Sequence, residues 1–252
     1  MGTNSNIQWT DATWNVARGC TKVSEGCKFC YMMREADWRG YKGNVVTKTK
    51  TVFRLPLTIK VPSKIFTSSL TDFFHEDIDP FRDEAWDIIR RCPQHTFQIL
   101  TKRPERIAAN LPADWWVEPY PNVWLGVSVE DQKNAYKRIP ILLTVPAVVH
   151  FLSCEPLLGE LDLKLEDIEW VIVGGESGFG KFPEDKNVKW QYRMCELDWI
   201  EGIVDRCTYT HVPVFVKQLG TDLSKMLAMS DGHGGDINEF PINVRVRQFP
   251  NG

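Results

Sequence analysis

Trp170-Val171-Ile172-Val173-Gly174-Gly175-Glu176-Ser177-Gly178 divides into an unbroken apolar run and a glycine-rich turn that carries one carboxylate. An apolar run this short, with no polar alternation, fits a strand buried on both faces, as in a parallel sheet covered by helices. The same pattern recurs on either side. Ser63–Leu70 is a strand that runs into Ser68, Ser69, Thr71 and Asp72; His95–Thr101 runs into Lys102 and Arg103. Asn122–Val129 leads to Ser128, Glu130 and Asp131, and Ala147–Ser153 to Cys154, Glu155 and Pro156. Val212–Val216 leads to Lys217 and Gln218.

Helical periods fill the intervals. Asp79 is placed to cap a helix whose first turn takes Pro80 and whose apolar face is Phe81, Ala85, Trp86, Ile88 and Ile89. A short helix is expected over 104–111, and a longer one over 131–143 that Pro140 kinks or shortens. Residues 196–206 give a helix with Leu197, Ile200, Ile203 and Val204 on one side. Val45-Val46 and Val52-Phe53 look strand-like. The tail from Gly220 reads as a polar loop and a late strand, Val244–Phe249. Strand plus helix repeats every roughly 25–30 residues, the period of βα units, so the fold class is α/β with a βα barrel. The barrel takes residues 1–219, and 220–252 form an extension packed on or near it.

In a parallel barrel the C-terminal strand ends form the working face. Turns require Gly, Pro, Asn and Asp; they do not require Lys102, Glu130, Glu155, Glu176 and Lys217 directly after apolar runs. The plain alternative is that loops are polar anyway, with Asp131 serving as a helix cap and Lys102 and Arg103 as surface bases. Trp9, Trp14 and Tyr31 read as core aromatics.

The chain has 252 residues, 43% apolar and 25% charged, with a formal net charge of −3, so it has no general pull on polyanions. It lacks a long apolar run, so no membrane partner is expected. The N-terminus is polar, without an apolar signal core, and Asn6 breaks the myristoylation pattern. Seven cysteines without a secretion signal fit a reducing, cytoplasmic setting. Cys92, Cys195 and Cys207 fall in or beside helical stretches, as buried structural thiols do.

Cys20, Cys27, Cys30 and the residues between them are the sharpest chemical signal. Three thiolates can hold three irons of a [4Fe-4S] cubane and leave the fourth iron open to S-adenosylmethionine (SAM), whose reductive cleavage gives a 5′-deoxyadenosyl radical. A zinc site is the second reading; it asks for a fourth ligand, and the nearest histidine in sequence, His75, is far along the chain. Chance proximity of structural thiols is the third.

Cys27-Lys28-Phe29-Cys30 resembles the second half of the radical SAM signature, in which an aromatic, here Phe29, packs by the adenine; the spacing from Cys20 to Cys27 is longer than in the common form. A wider resemblance covers most of the chain. It runs through Trp9–Asn15, Cys20–Tyr31, Asp72–Asp77, Thr101–Arg106, Trp124–Asp131, Ser153–Gly159, Trp170–Gly178 and Phe215–Gln218. These stretches resemble a phage-associated three-cysteine family of unknown function that is itself similar to radical SAM enzymes. Where that family has Arg-Pro after its GGESG run, this chain has Lys181-Phe182-Pro183. The resemblance implies a partial (β/α)6 barrel of the radical SAM type, a [4Fe-4S] cluster on Cys20, Cys27 and Cys30, and SAM across the strand ends. Phe29, Ser68, Ser69, Asp72, Lys102, Arg103, Ser128, Glu130, Gly174 and Gly175 are the cofactor candidates, and Glu155, Glu176, Lys217 and Gln218 the catalytic or substrate candidates. It also implies an electron donor such as a flavodoxin or ferredoxin, and as substrate a modified nucleobase in phage DNA or its nucleotide precursor.

From Trp38 to Thr71 there is no acidic residue, while Arg39, Lys42, Lys48, Lys50, Arg54, Lys60 and Lys64 are all basic. Such a patch suits phosphates, with Lys48, Lys50 and Arg54 as the nucleic-acid contacts. The alternative is a solvated face balanced by acids elsewhere. The rival function is a zinc-stabilised barrel acting as a nucleic-acid-binding or partner-binding module.

Overall fold

The computed structural model describes residues 5–250. Residues 1–4, part of the polar N-terminus noted above, lie outside them. The chain is α/β, with a seven-stranded sheet and a separate two-stranded one. It divides into two compact units: Met1–Val23, Cys30–Val127 and Pro140–His150 make the first, and Ser24–Phe29, Ser128–Ile139 and Phe151–Gly252 the second.

In the first unit β1 (Ala12–Trp14) pairs with β4 (Lys64–Thr67), β4 with β5 (Thr96–Thr101), and β5 with β6 (Val123–Ser128), all in parallel. Register sets Ile65 beside Phe97 and Ile99 beside Leu125. All six residues of β6 are buried, so its continuous apolar run reflects cover on both faces. Helix α1 spans Tyr31–Trp38, and the small sheet joins β2 (Ala17–Arg18) to β3 (Thr47–Lys48) in antiparallel fashion. Helix α2 (Asp79–Arg90) buries Ala85, Trp86, Ile88 and Ile89 as the period requires. Aromatics fill this core: Trp14 meets Phe97 edge-on at 5.6 Å, and Trp86 meets Phe73 edge-on at 5.1 Å and Trp115 at a tilt at 5.7 Å.

The second unit holds β7 (His150–Cys154) from Phe151 onward, β8 (Trp170–Gly174) and β9 (Val214–Gln218), again parallel, with α3 (Gln132–Leu142) up to Ile139, α4 (Leu197–Thr210) and α5 (Gly220–Met226). Every residue of β7 and β8 is buried. Helix α4 turns Ile200, Ile203, Val204 and Cys207 inward and ends at His211, whose φ of 58° is left-handed. Trp170 packs on Phe151 at 5.7 Å and on Phe249 at 5.5 Å.

Several local expectations are corrected. The helix over 104–111 is two short 3-10 turns, Pro104–Arg106 and Ala108–Asn110. Pro104 and Pro112 bracket the segment, and neither can donate a backbone N–H to a helical ladder. The strand over 244–249 is a 3-10 turn, Ile242–Val244, and one isolated bridge from Phe215 to Arg247. There Arg245 bonds the Phe240 carbonyl at 2.7 Å and Arg247 the Lys217 carbonyl at 2.9 Å, so side chains do the work of a ladder. Neither Val45-Val46 nor Val52-Phe53 forms a strand; Thr47–Lys48 between them does. A Cβ at Gly19 would stand 2.2 Å from the Val45 carbonyl oxygen, so this crossing is set by a glycine contact. Asp79 is the first residue of α2, with Ile78 at the cap, and its carboxylate pairs with Arg82 at 2.6 Å and Arg106 at 2.7 Å. Tyr31 is exposed and outside the core, whereas Trp9 and Trp14 are buried. Asp131 caps α3 by accepting from the Asn134 N–H at 2.8 Å, and Pro140 lies inside that helix. Among the described residues no helix is long and apolar enough to cross a membrane.

Candidate functional site

In the first unit, β1, β4 and β5 each run straight into a polar residue. Asn15, after β1, is fully buried; its amide donates to the Ser69 hydroxyl at 2.9 Å and accepts from the Leu70 N–H at 2.6 Å. Tyr31 donates its hydroxyl to the Ser69 carbonyl. Ser68, after β4, has a left-handed φ of 72° and is 3% exposed, and its hydroxyl has no partner among the described residues. Asp72 accepts from the Thr101 hydroxyl at 2.7 Å, the Phe74 N–H at 3.0 Å and the Lys102 N–H at 3.0 Å.

Arg103, after β5, is buried against the cysteine loop. Its Nη1 donates to Asp72 Oδ2 at 3.2 Å and lies 3.7 Å from Cys20 Sγ, and its Nη2 donates to the Thr21 carbonyl at 3.0 Å and hydroxyl at 2.7 Å. The buried His75 ring places Nε2 3.0 Å from the Thr21 hydroxyl. Burial depresses His75, and the Arg103 cation depresses it further. Sequence distance had set His75 aside; the fold brings it next to the residue that follows Cys20.

In the second unit the fully buried Glu130 is gripped by Arg138, whose Nη1 donates to Glu130 Oε2 and to the Ser128 carbonyl, both at 2.7 Å. Ser24 donates its hydroxyl to the other carboxylate oxygen and stands 3.9 Å from Cys27 Sγ. A Cβ at Gly26 would meet the Glu130 carboxyl carbon at 2.8 Å, so the loop's glycine lets its backbone lie against this carboxylate. Glu176 takes two bonds from the Arg193 side chain, at 2.8 and 2.5 Å, and Arg193 also donates to the Glu25 carbonyl at 2.8 Å and sits 5.5 Å from the Phe29 ring centre. Lys28 pairs with Glu184 and sits 5.0 Å over Phe29. Glu155 pairs with Lys217 at 2.5 Å, both partly buried. Gln218 donates to the Gly175 carbonyl at 2.9 Å. A Cβ at Gly175 would lie 2.2 Å from the Leu219 carbonyl oxygen, so that glycine admits the chain's own backbone. Gly174 lies at the register shift between β8 and β9.

The seven cysteines fall into two classes. Cys92, Cys154, Cys195 and Cys207 are buried, while Cys20, Cys27 and Cys30 are half-buried on their loop. Burial pushes Cys195 and Cys207 up to about 12 and Cys154 well above the ordinary thiol value. Cys20 is pushed up to about 11 by burial and then by Asp72, against the pull of Arg103. Among the described residues no three His, Cys, Asp or Glu side chains gather as a metal-ion site. The chemistry of the loop's donors nevertheless fits a thiolate-held group: soft sulfur ligands, partly accessible, with a guanidinium N–H directed at one of them.

Lys48, Lys50 and Arg54 do come together. With Thr49, Phe53 and Glu84 they line an open hollow of about 280 Å³ in the first unit. Glu84 pairs with Lys48 and approaches Arg54 to 4.0 Å. Lys64 pairs with Asp11 and Arg39 with Glu35, so part of the acid-free stretch is balanced by acids from other segments. Asn15, Glu84, Arg138 and Arg193 belong to these networks, and nothing local in the sequence marks them.

Searches of curated proteins and of solved structures give no match. One family model, described as "Protein of unknown function (DUF5131)", matches residues 4–239. That match covers most of the cysteine loop's surroundings, both units' strands and all of the strand-end residues described above, and the chain therefore belongs to the DUF5131 family.

Proposed function

We propose that this chain is a radical SAM enzyme with a partial (β/α)6 barrel, in which Cys20, Cys27 and Cys30 hold a [4Fe-4S] cluster. The observation that carries the reading is the division among the cysteines: the three on one loop are half-buried, and the other four are sealed in the core. When bound, the cluster supplies one electron, drawn from a flavodoxin- or ferredoxin-type donor, to break the C5′–S bond of SAM into methionine and a 5′-deoxyadenosyl radical. The chain's own residues bind and orient. The partnerless Ser68 hydroxyl offers SAM a buried hydrogen bond at the end of β4. Ser69, Asp72 and Lys102 follow β4 and β5, Ser128 ends β6, and Phe29 lies beside the adenine. Glu130 is gripped by Arg138 and Ser24, and its contribution is to hold the loop. Glu155, Glu176, Lys217 and Gln218 face the substrate, a modified nucleobase in phage DNA or its nucleotide precursor, for rearrangement or functionalisation of its side chain. The setting is cytoplasmic, where thiols stay reduced.

Anaerobic purification tests this. A brown protein with about four irons per chain, which cleaves SAM when reduced, is the expected result. Colourless protein with about one zinc per chain would overturn it in favour of a zinc-stabilised binding module. That second reading would have to recruit a fourth ligand such as His75, whose Nε2 lies 3.0 Å from the Thr21 hydroxyl and whose Nδ1 accepts from the Asp77 N–H.

The polymer form of the substrate is tested separately. DNA binding should weaken steeply with salt, and changing Lys48, Lys50 and Arg54 to Glu should abolish it at low salt. If the parent binds neither duplex nor single strands at low salt, only a free nucleotide substrate remains.

A further inference from the structure

We propose that Arg103 is a positioning residue that sets the reduction potential of the group on the cysteine loop through Cys20, with Asp72 as its counterweight. The inference rests on the cluster reading above. Arg103 and Asp72 are each 5% exposed, so neither charge is dissolved in solvent screening. The guanidinium cannot swing away. Asp72 holds one side at 3.2 Å, the Thr21 carbonyl and hydroxyl hold the other at 3.0 and 2.7 Å, and Nη1 is left 3.7 Å from Cys20 Sγ. Asp72 is itself fixed by Thr101 at 2.7 Å and by the Phe74 and Lys102 amides, both at 3.0 Å. Glu76 approaches Arg103 Nε only to 3.9 Å and is largely exposed, so it screens weakly.

The sign follows from Coulomb's law. Reduction adds a negative charge to the iron and its sulfur ligands. A buried cation and an N–H directed at one sulfur stabilise that added charge and raise the potential; the Asp72 carboxylate lowers it. A planar fork that reaches carboxylate, carbonyl and sulfur together is something Arg provides and Lys does not. The same engagement argues against Arg103 as a direct SAM contact, because both of its terminal nitrogens already have acceptors.

The experiment is a spectroscopic redox titration of the reconstituted full-length chain, run on the parent, Arg103→Lys, Arg103→Gln and Asp72→Asn, with SAM affinity measured in parallel. Arg103→Gln should shift the one-electron equilibrium about tenfold toward the oxidised form, ~59 mV lower. Arg103→Lys should shift it the same way by less, and Asp72→Asn should move it in the opposite direction. A residue that only supported the fold would not give opposite signs at the two positions. If Arg103→Gln does not fold, Arg103→Lys carries the test, since it keeps a cation for Asp72. A parent-like potential in Arg103→Lys and any folded Arg103→Gln overturns the proposal. So does Asp72→Asn shifting downward, or weakened SAM binding at unchanged potential. A parent chain that takes up no iron fails earlier, at the cluster reading, and is recognised by its metal content alone.

Discussion

Cys20→Ala, Cys27→Ala and Cys30→Ala should each leave the anaerobically purified chain without its iron, while Cys92→Ala and Cys207→Ala keep it. A cubane held by three thiolates has no spare ligand, so losing any one leaves two irons without a protein anchor. The loop is also tied down on both sides of its turn: the Cys20 N–H donates to the Gly43 carbonyl at 2.9 Å, and the Cys27 N–H to the Ser24 carbonyl at 3.0 Å. A neighbouring residue cannot slide in as a substitute ligand without breaking those bonds. Cys92 follows α2 and Cys207 lies on the inner face of α4; both are buried, and truncating either removes one sulfur from the core, a loss of about 1 kcal/mol. Iron and sulfide analysis decides the matter. Near-full incorporation in any one of the three loop variants would remove that cysteine from the ligand set.

Glu130→Ala carries the largest expected loss of stability. Glu130 is completely buried and Arg138 is 3% exposed, so the substitution strands a cation in the interior. Breaking a buried pair from one side costs about 3–5 kcal/mol. For a chain of this size that lowers the melting temperature by roughly 10 °C. Ser24 loses its acceptor at the same time, so the turn before Cys27 loosens and cluster uptake should fall along with stability. Replacing both partners by apolar residues, Glu130→Leu with Arg138→Met, should recover most of the melting temperature, because no lone charge is left. A Glu130→Ala variant that melts like the parent would show that the carboxylate is not holding this part of the fold.

The strands were legible because burial on both faces writes itself as an unbroken apolar run, as in Val123–Ser128 and Trp170–Gly174. Their polar ends were legible for the complementary reason: a charge directly after such a run has no role in the turn itself. The partners of those charges were not. Glu176 finds Arg193 in an irregular segment without period, and Thr21 meets His75, 54 residues away in the chain. Arg138 returns to Glu130 from a helix whose sequence gives no sign of which side chain points back. The basic stretch looked unbalanced because its counter-ions, Glu84 and Asp11, come from α2 and from the residue before β1. Near the C-terminus Arg247 bonds the Val216 carbonyl in place of a strand ladder, which no local propensity records.

Ser68 has an evolutionary consequence. Its left-handed backbone and partnerless hydroxyl both weigh against the folded chain, by an amount on the order of 1–3 kcal/mol for the backbone alone. Glycine at this position would relieve both. Selection for yield or heat resistance should therefore drift toward glycine there, and selection for a bound ligand should resist it. The residue is a point at which two kinds of fitness diverge, and a variant library sorted only by folding would discard it first.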